Sequence, residues 1–131
     1  MANEKSEVLE LAAFDQHIVI DDHGLYLFNL LLLSNLPVVD LIHENRIEGP
    51  VQLEYCLYNF CKSTQKDSEN EQRICFHINL NLFPGISKLD AASTNYYGAD
   101  ICRYIQGLIS SDNESRFAII LYSFVSKVDL E

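Results

Sequence analysis

The chain has 131 residues, of which 48% are hydrophobic and 21% charged, and its formal net charge at pH 7 is −10. This length and composition predict a single globular domain over residues 1–131 and argue against intrinsic disorder. Nucleic-acid binding is excluded as a function class, because the sequence supplies no basic footprint to replace the counterions of a phosphate backbone.

The negative charge is concentrated in the first half of the chain. Residues 1–60 contain ten acidic and two basic side chains, a balance of −8, while residues 61–131 contain nine and seven, a balance of −2. An acidic half of this kind keeps a protein soluble, and it can also steer a basic protein surface toward the chain.

The N-terminal segment does not have the pattern of an export signal. Its first 23 residues contain six acidic side chains and one lysine, whereas a signal peptide begins with a basic stretch. We therefore expect an intracellular protein, cytoplasmic or nuclear, in which all four cysteines are reduced. These cysteines are Cys56, Cys61, Cys75 and Cys102.

Apolar segments flank the polar turn at residues 21–24. Gly24 can supply the positive φ angle of a bulged hairpin, which predicts one strand before the turn and a second at about residues 25–33. The alternative is a helix that begins at Gly24, because leucine favours helices and an aspartate can cap them. The apolar run at residues 25–36 is too short for a membrane span, which takes about 20 residues.

Pro37 suits the first turn of a short amphipathic helix that ends before residues 48–50. From Val51 the apolar residues recur with a period of two as far as residue 61, and a similar alternation covers residues 74–82. We interpret these segments as two long antiparallel strands. The polar residues 63–72 between them would form a mobile hairpin loop.

The last third of the chain predicts a helix and a strand. Apolar side chains recur at helical spacing over residues 99–109, and residues 117–128 form a largely apolar run typical of a covered strand. With a possible short helix at residues 4–13, the predicted order is β-β-α-β-β-α-β. This order indicates an α+β fold, with a mostly antiparallel sheet of about five strands and helices packed on one face.

Two groups of residues have the chemistry of metal ligands. Cys56 and Cys61 are close in sequence, but the predicted hairpin places them on opposite faces, and a zinc site needs four clustered ligands. The second group surrounds the first turn, where turn chemistry alone explains the aspartates. Its members are His17, Asp21, Asp22 and His23. We therefore predict neither a metal site nor a cofactor.

Cys75 and His77 are the candidates for nucleophilic catalysis, because they point the same way on one predicted strand. Their side chains would lie about 7 Å apart along that strand. A thiol also needs a neighbouring base to become reactive, and Arg73 is the one basic residue nearby in sequence. A small cysteine-dependent enzyme is therefore the alternative from another function class.

The outer face of the predicted hairpin carries aromatic residues where a solvated sheet face should be polar. Either another helix of the chain covers this face or a partner protein does. The partner-binding residues predicted on it are Tyr58, Phe60, His77 and Phe83.

These features favour a non-enzymatic interaction subunit, adaptor or assembly factor that binds another protein in a hetero- or homo-oligomer such as a dimer. The alternative within binding proteins is an acidic stoichiometric inhibitor, of the immunity or anti-defence type, that masks a basic site. Binding to nucleic acid or to a membrane is not expected.

Overall fold

A computed structural model of the chain describes residues 10–23, 25–66, 71–83 and 96–123. The strands are β1 (Gln16–Ile20), β2 (Val38–Asp40), β3 (Ile74–Asn79) and β4 (Phe117–Tyr122). The α-helices are α1 (Tyr26–Leu33), α2 (Leu41–Glu44), α3 (Pro50–Lys66) and α4 (Tyr97–Leu108). Short 3-10 helices span Leu11–Ala13 and Ser111–Arg116.

The four strands form one sheet in the order β2-β1-β3-β4, and every neighbouring pair is parallel. In the central pair Ile18 lies opposite Phe76, and β4 continues this row with Ile119. Two strand orders are common in doubly wound sheets, and one of them begins 2-1-3-4, as this sheet does. Strands and helices are both present, as predicted, but the prediction of a mostly antiparallel sheet of about five strands is wrong.

The predicted hairpin fails because residues 50–66 form a helix. Its buried side chains, Leu53, Leu57 and Cys61, are spaced by four residues. Val51 and Tyr55, which a strand would place on the same face, are 82% and 69% exposed. Residues four positions apart lie on one face of a strand and also on one face of a helix. The apolar pattern of this segment therefore fits both structures. Pro50 occupies the first helical position, where proline is favoured.

The predicted loop at residues 63–72 consequently joins a helix to a strand. Residues 63–66 belong to α3, residues 67–70 lie outside the described residues, and residues 71–73 lead into β3. The mobility of this segment stays a prediction.

The strand predicted at residues 25–33 and the helix predicted from Pro37 are also wrong. The first is helix α1, the alternative that leucine content favoured. The second begins as the three-residue strand β2, which is too short to show an alternation, and continues as α2. By contrast, β3, α4 and β4 lie where their periodicities predict them. The predicted extension of β4 to residue 128 and most of the possible helix at residues 4–13 lie outside the described residues.

Helices lie on both faces of the sheet, so the prediction that they pack on one face is wrong. Parallel strands need crossover connections, and these are right-handed. The chain runs from β1 to β2 in one direction and from β2 past β1 to β3 in the other. This places α1 on one face, and α3 and α4 together on the opposite face. The Tyr97 hydroxyl donates a hydrogen bond of 2.7 Å to Glu54 Oε2 between the last two helices.

The main hydrophobic core lies between the sheet and the pair α3 and α4. Phe76 is fully buried at its centre, with the Phe60 ring edge-on at 5.9 Å and the Phe117 ring stacked at 6.2 Å between centroids. Most other buried members come from the sheet and these two helices, and α2 adds Leu41 and Ile42. They include Ile18, Ile20, Leu53, Leu57, Cys61, Ile74, Ile78, Ile101 and Ile105.

The N-terminal end of α4 packs directly on the end of β3. A Cβ atom added to Gly98 would lie 2.2 Å from the carbonyl oxygen of Asn79, and the Gly98 N–H donates to the Leu80 carbonyl at 3.1 Å. Only glycine allows this approach, which brings α4 to the carboxyl edge of the sheet. Among the described residues, no helix combines the length and the apolar character that crossing a membrane requires.

Candidate functional site

Polar side chains gather where β1 and β3 end. Asp21, Asp22 and His23 follow β1 directly, and Asn79 is the last residue of β3. The strand order reverses between β1 and β3, because β1 is followed in sequence by β2 on one side and β3 by β4 on the other. In open sheets built on parallel strands this is where ligands bind, which makes the cluster the first candidate site.

Asp21 is the centre of the cluster and is 4% exposed. Its Oδ1 accepts hydrogen bonds from the His23 N–H at 2.9 Å and from Asn79 Nδ2 at 3.0 Å. Its Oδ2 accepts a hydrogen bond of 2.8 Å from the Tyr122 hydroxyl. Three donors from three separate segments therefore stabilise this buried carboxylate.

Tyr122 closes the cluster from the end of β4. Burial raises the pKa of Tyr122 well above its ordinary value, and the hydrogen bond to the Asp21 carboxylate raises it further. The phenol therefore stays protonated at physiological pH and acts as a hydrogen-bond donor.

Asp22 holds the chain after β3 in a strained conformation. The Phe83 N–H lies 3.3 Å from both Asp22 carboxylate oxygens, and Phe83 has a φ angle of 47°, in the left-handed region that side chains disfavour. The Asn79 side-chain oxygen also accepts from the Asn81 N–H at 2.9 Å. These bonds tie the chain that leaves β3 to the end of β1.

A groove of about 560 Å³ lies beside Asp22 and Phe83. Its other wall comes from α2 and the residues after it, where Asp40 caps the helix and lies 2.7 Å from His43 Nδ1. Arg46 and Glu48 add one charge of each sign. Such a mixed lining selects no single class of small ligand.

Asp21, Asp22 and His23 offer three ligand atoms that lie within 4.8 Å of one another. Both carboxylates already accept hydrogen bonds from the chain, however, so a cation would have to displace donors that are in place. The bond from the His23 N–H to Asp21 is the local turn bond that aspartates commonly make. His17, grouped with these residues by sequence, lies on a different part of the sheet.

A second cluster lies within the sheet. The sequence paired Cys75 with His77 on one strand, but it did not predict His17 as their neighbour. His17, Cys75 and His77 are 0%, 0% and 3% exposed, and their ligand atoms lie within 4.8 Å of one another. His17 Nδ1 is 2.9 Å from His77 Nε2. Burial and the neighbouring His17 lower the pKa of His77 to about 4. The parallel register that places His17 opposite Cys75 is not visible in the sequence.

The cysteines have the environment of unreactive thiols. All four are free. Burial raises the pKa of Cys75 to about 11 and that of Cys61 to about 12, and it raises the pKa values of Cys56 and Cys102 as well. Since the thiolate is the nucleophile, this environment disfavours the step that a cysteine-dependent enzyme requires.

The four predicted partner-binding residues do not share a face. Tyr58 lies on α3 and is 43% exposed, Phe60 points from the same helix toward Phe76, and His77 is buried in the second cluster. Phe83 packs near Tyr97, with 6.0 Å between ring centroids. The aromatic sheet face is therefore not formed, because two of its members are helical. A role for the individual residues in partner binding stays a prediction.

Helix α1 and Leu25 directly before it present the largest group of exposed leucines among the described residues. Leu25, Leu30, Leu32 and Leu33 are 41%, 48%, 53% and 82% exposed, while Leu31 on the opposite side is 4% exposed. No charged side chain occurs from residue 25 to residue 36. The sequence signal for this surface is the apolar run itself, in a segment that the sequence predicted as a strand.

Comparison with protein-family models, with curated proteins and with solved structures finds no match to this chain.

Proposed function

We propose that this chain is a non-enzymatic protein-interaction subunit that docks through the exposed leucines of α1 on an apolar, uncharged protein surface. The observation that carries the proposal is the composition of α1. Every residue of α1 except Asn29 is hydrophobic, and a helix with so little polar surface belongs in a buried environment. Here one side is buried by the chain at Leu31, and the other side exposes Leu30, Leu32 and Leu33.

The other candidate regions support this assignment by their chemistry. The buried carboxylate at the carboxyl edge is satisfied by donors of the chain, and the thiols have raised pKa values. An interaction surface needs neither a free carboxylate nor an activated nucleophile. It needs exposed apolar area, which α1 provides.

The size of α1 sets the strength of the complex. Eight residues of helix are about 12 Å long, so α1 alone covers less than the roughly 800 Å² per partner of a standard stable interface. We therefore expect either weak association or a partner groove that encloses the helix, as in helix-in-groove recognition.

The first experiment measures association of the isolated chain, because an apolar helix can pair with the same helix of a second copy. Sedimentation equilibrium compares the wild type with Leu32→Lys/Leu33→Lys on α1. The matched control is Val51→Lys/Tyr55→Lys, which places two lysines at similarly exposed apolar positions on α3. We expect the α1 variant to lose association and the α3 variant to keep it. Loss in the α3 variant instead would assign the surface to α3.

Salt dependence separates an apolar interface from an acidic inhibitor. Raising ionic strength from about 0.1 M to about 1 M shortens the Debye length from about 10 Å to about 3 Å. Two chains that each carry −10 repel one another, so apolar self-association should hold or strengthen with salt. A complex between the acidic half and a basic site would weaken steeply.

The second experiment tests whether α1 binds a protein other than a second copy of this chain. A photo-crosslinking residue at position 33, compared with one at position 51, is activated in cells that produce the protein naturally. We expect crosslinks to another chain from position 33 alone. Crosslinks confined to the same chain, or equal yields from both positions, would contradict the proposal.

A further inference from the structure

The cluster of His17, Cys75 and His77 has no role in the proposed function. His17 and Cys75 lie opposite each other in the β1–β3 register, and His77 follows two residues later on the same side of β3. All three are at most 3% exposed. Buried imidazole and thiol groups in one place are unusual, since apolar side chains would fill the same space without polar atoms.

The hydrogen bonds orient His17 as a metal-binding histidine is oriented. Its Nε2 lies 2.7 Å from the Leu11 carbonyl oxygen, which accepts and so requires the proton on Nε2. In the neutral imidazole this leaves Nδ1 as the free acceptor, and Nδ1 lies 2.9 Å from His77 Nε2. A ligating histidine commonly donates its second ring N–H to a backbone carbonyl in this way.

The separations suit one small ion. Metal–nitrogen bonds of about 2.0–2.1 Å and metal–sulfur bonds of about 2.3 Å place the donors of a trigonal site roughly 3.5–3.8 Å apart. His17 Nδ1 and His77 Nε2, now 2.9 Å apart, need to move apart by less than about 1 Å to reach this range. All three donor atoms already lie within 4.8 Å of one another, and within the described chain no fourth His, Cys, Asp or Glu belongs to the group.

We propose that His17, Cys75 and His77 form a buried three-coordinate site for Cu(I). On binding, the Cys75 thiol releases its proton to solvent, and His77 moves its ring proton to Nδ1 so that Nε2 can coordinate. No electron is transferred.

Charge favours Cu(I) over a divalent ion. Cu(I) with one thiolate is neutral overall, whereas Zn(II) with one thiolate leaves a positive charge in a buried site, which costs free energy. Zn(II) also takes four ligands, and thiolate and imidazole donors suit soft copper. An ion would enter past Leu11, whose carbonyl oxygen contacts His17 and which is half-buried beside the exposed residues Ala12 and Ala13.

The test titrates the metal-free, reduced protein with Cu(I) against a chromophoric Cu(I) chelator. We expect one equivalent to bind, with at least a 100-fold loss of affinity in Cys75→Ser and in His77→Gln. The matched control is Cys102→Ser, a half-buried thiol on α4 that should leave the affinity unchanged. Circular dichroism establishes that each variant is folded.

A measurement on the wild type keeps the proposal falsifiable if the buried variants unfold. X-ray absorption at the copper edge should show one sulfur and two nitrogen neighbours. Absence of uptake, unchanged affinity in folded Cys75→Ser, or a copper shell with two or more sulfurs overturns the site. Preferential binding of Zn(II) in direct competition overturns the assignment to Cu(I).

Discussion

His77 is a buried imidazole that stays neutral in the folded chain. Burial and His17 lower the pKa of His77 from 6.5 to about 4, whereas in the unfolded chain it titrates at its ordinary value. The unfolded state therefore takes up the proton first as the pH falls. The stability that depends on neutral His77 is complete above about pH 6.5 and is lost toward pH 4, up to about 3 kcal/mol.

We expect the free energy of unfolding of the metal-free wild type to fall between pH 7 and pH 4.5 more steeply than that of His77→Gln. Urea unfolding at both pH values measures the difference. Equal pH dependence in the two proteins would mean that His77 does not carry this sensitivity.

The hydroxyl of Tyr122 gives a second prediction at this scale. Tyr122→Phe leaves the buried Asp21 carboxylate without one of its donors, and we expect the free energy of unfolding to fall by about 1–2 kcal/mol. The control is Tyr55→Phe, at a site that is 69% exposed, where we expect a change within about 0.5 kcal/mol. Equal losses in thermal or urea unfolding would contradict the role of Tyr122.

The parts of the carboxyl-edge site were predictable to different degrees. Asp21 and Asp22 were recognised as turn residues, because the apolar segments on each side delimit the turn. Their partners were not recognised. Asn79 and Tyr122 lie 58 and 101 residues from Asp21 in sequence, and only the strand order brings them together. Local sequence patterns predict individual strands, but they do not show which residues of two parallel strands lie opposite each other.

At the scale of elements, β3, α4 and β4 were predictable because each has a long run of one periodicity. The segment at residues 50–66 was not, since its buried residues at 53, 57 and 61 fit both a strand and a helix. Exposure decides between the two, and exposure of Val51 and Tyr55 is a property of the folded molecule. A strand in this segment implies an antiparallel hairpin with the next strand, so this single misassignment makes the whole predicted sheet antiparallel.

The two glycines of α4 give opposite predictions. Gly98→Ala places a Cβ 2.2 Å from the Asn79 carbonyl oxygen, whereas a Cβ at Gly107 meets no atom within 4 Å. We expect Gly98→Ala to lower the free energy of unfolding by about 1–3 kcal/mol or more, because backbone must move. Gly107→Ala should raise it by up to about 1 kcal/mol through better helix propensity. Urea unfolding measures both, and the same sign for both variants would contradict the close packing.

At the scale of the whole molecule, Arg116 joins three parts of the chain. It is 8% exposed, and its guanidinium donates to the carbonyl oxygens of Gln72 and Thr64 and to Asn113 Oδ1. These partners belong to the segment before β3, the end of α3 and the second 3-10 helix. The planar guanidinium reaches all three at once, which a lysine cannot do.

Arg116→Met should therefore lower the free energy of unfolding by about 2–3 kcal/mol, since buried acceptors lose charged donors. Arg116→Lys should recover only part of this loss. The control is Arg103→Met, whose side chain is 60% exposed and pairs with Asp100, with an expected change within about 1 kcal/mol. Full recovery by lysine would show that charge alone matters.

The parallel sheet also has a consequence for synthesis. Strand β1 lies between β2 and β3, and the residues that meet across the second pairing, such as His17 and His77, are 60 positions apart. At a translation rate of about 5–20 residues per second, β1 waits about 3–12 s for its second neighbour. During that interval the nascent chain exposes β1 and the leucine run of α1 to solvent together. The first third of the chain is therefore where we expect ribosome-associated chaperones to bind.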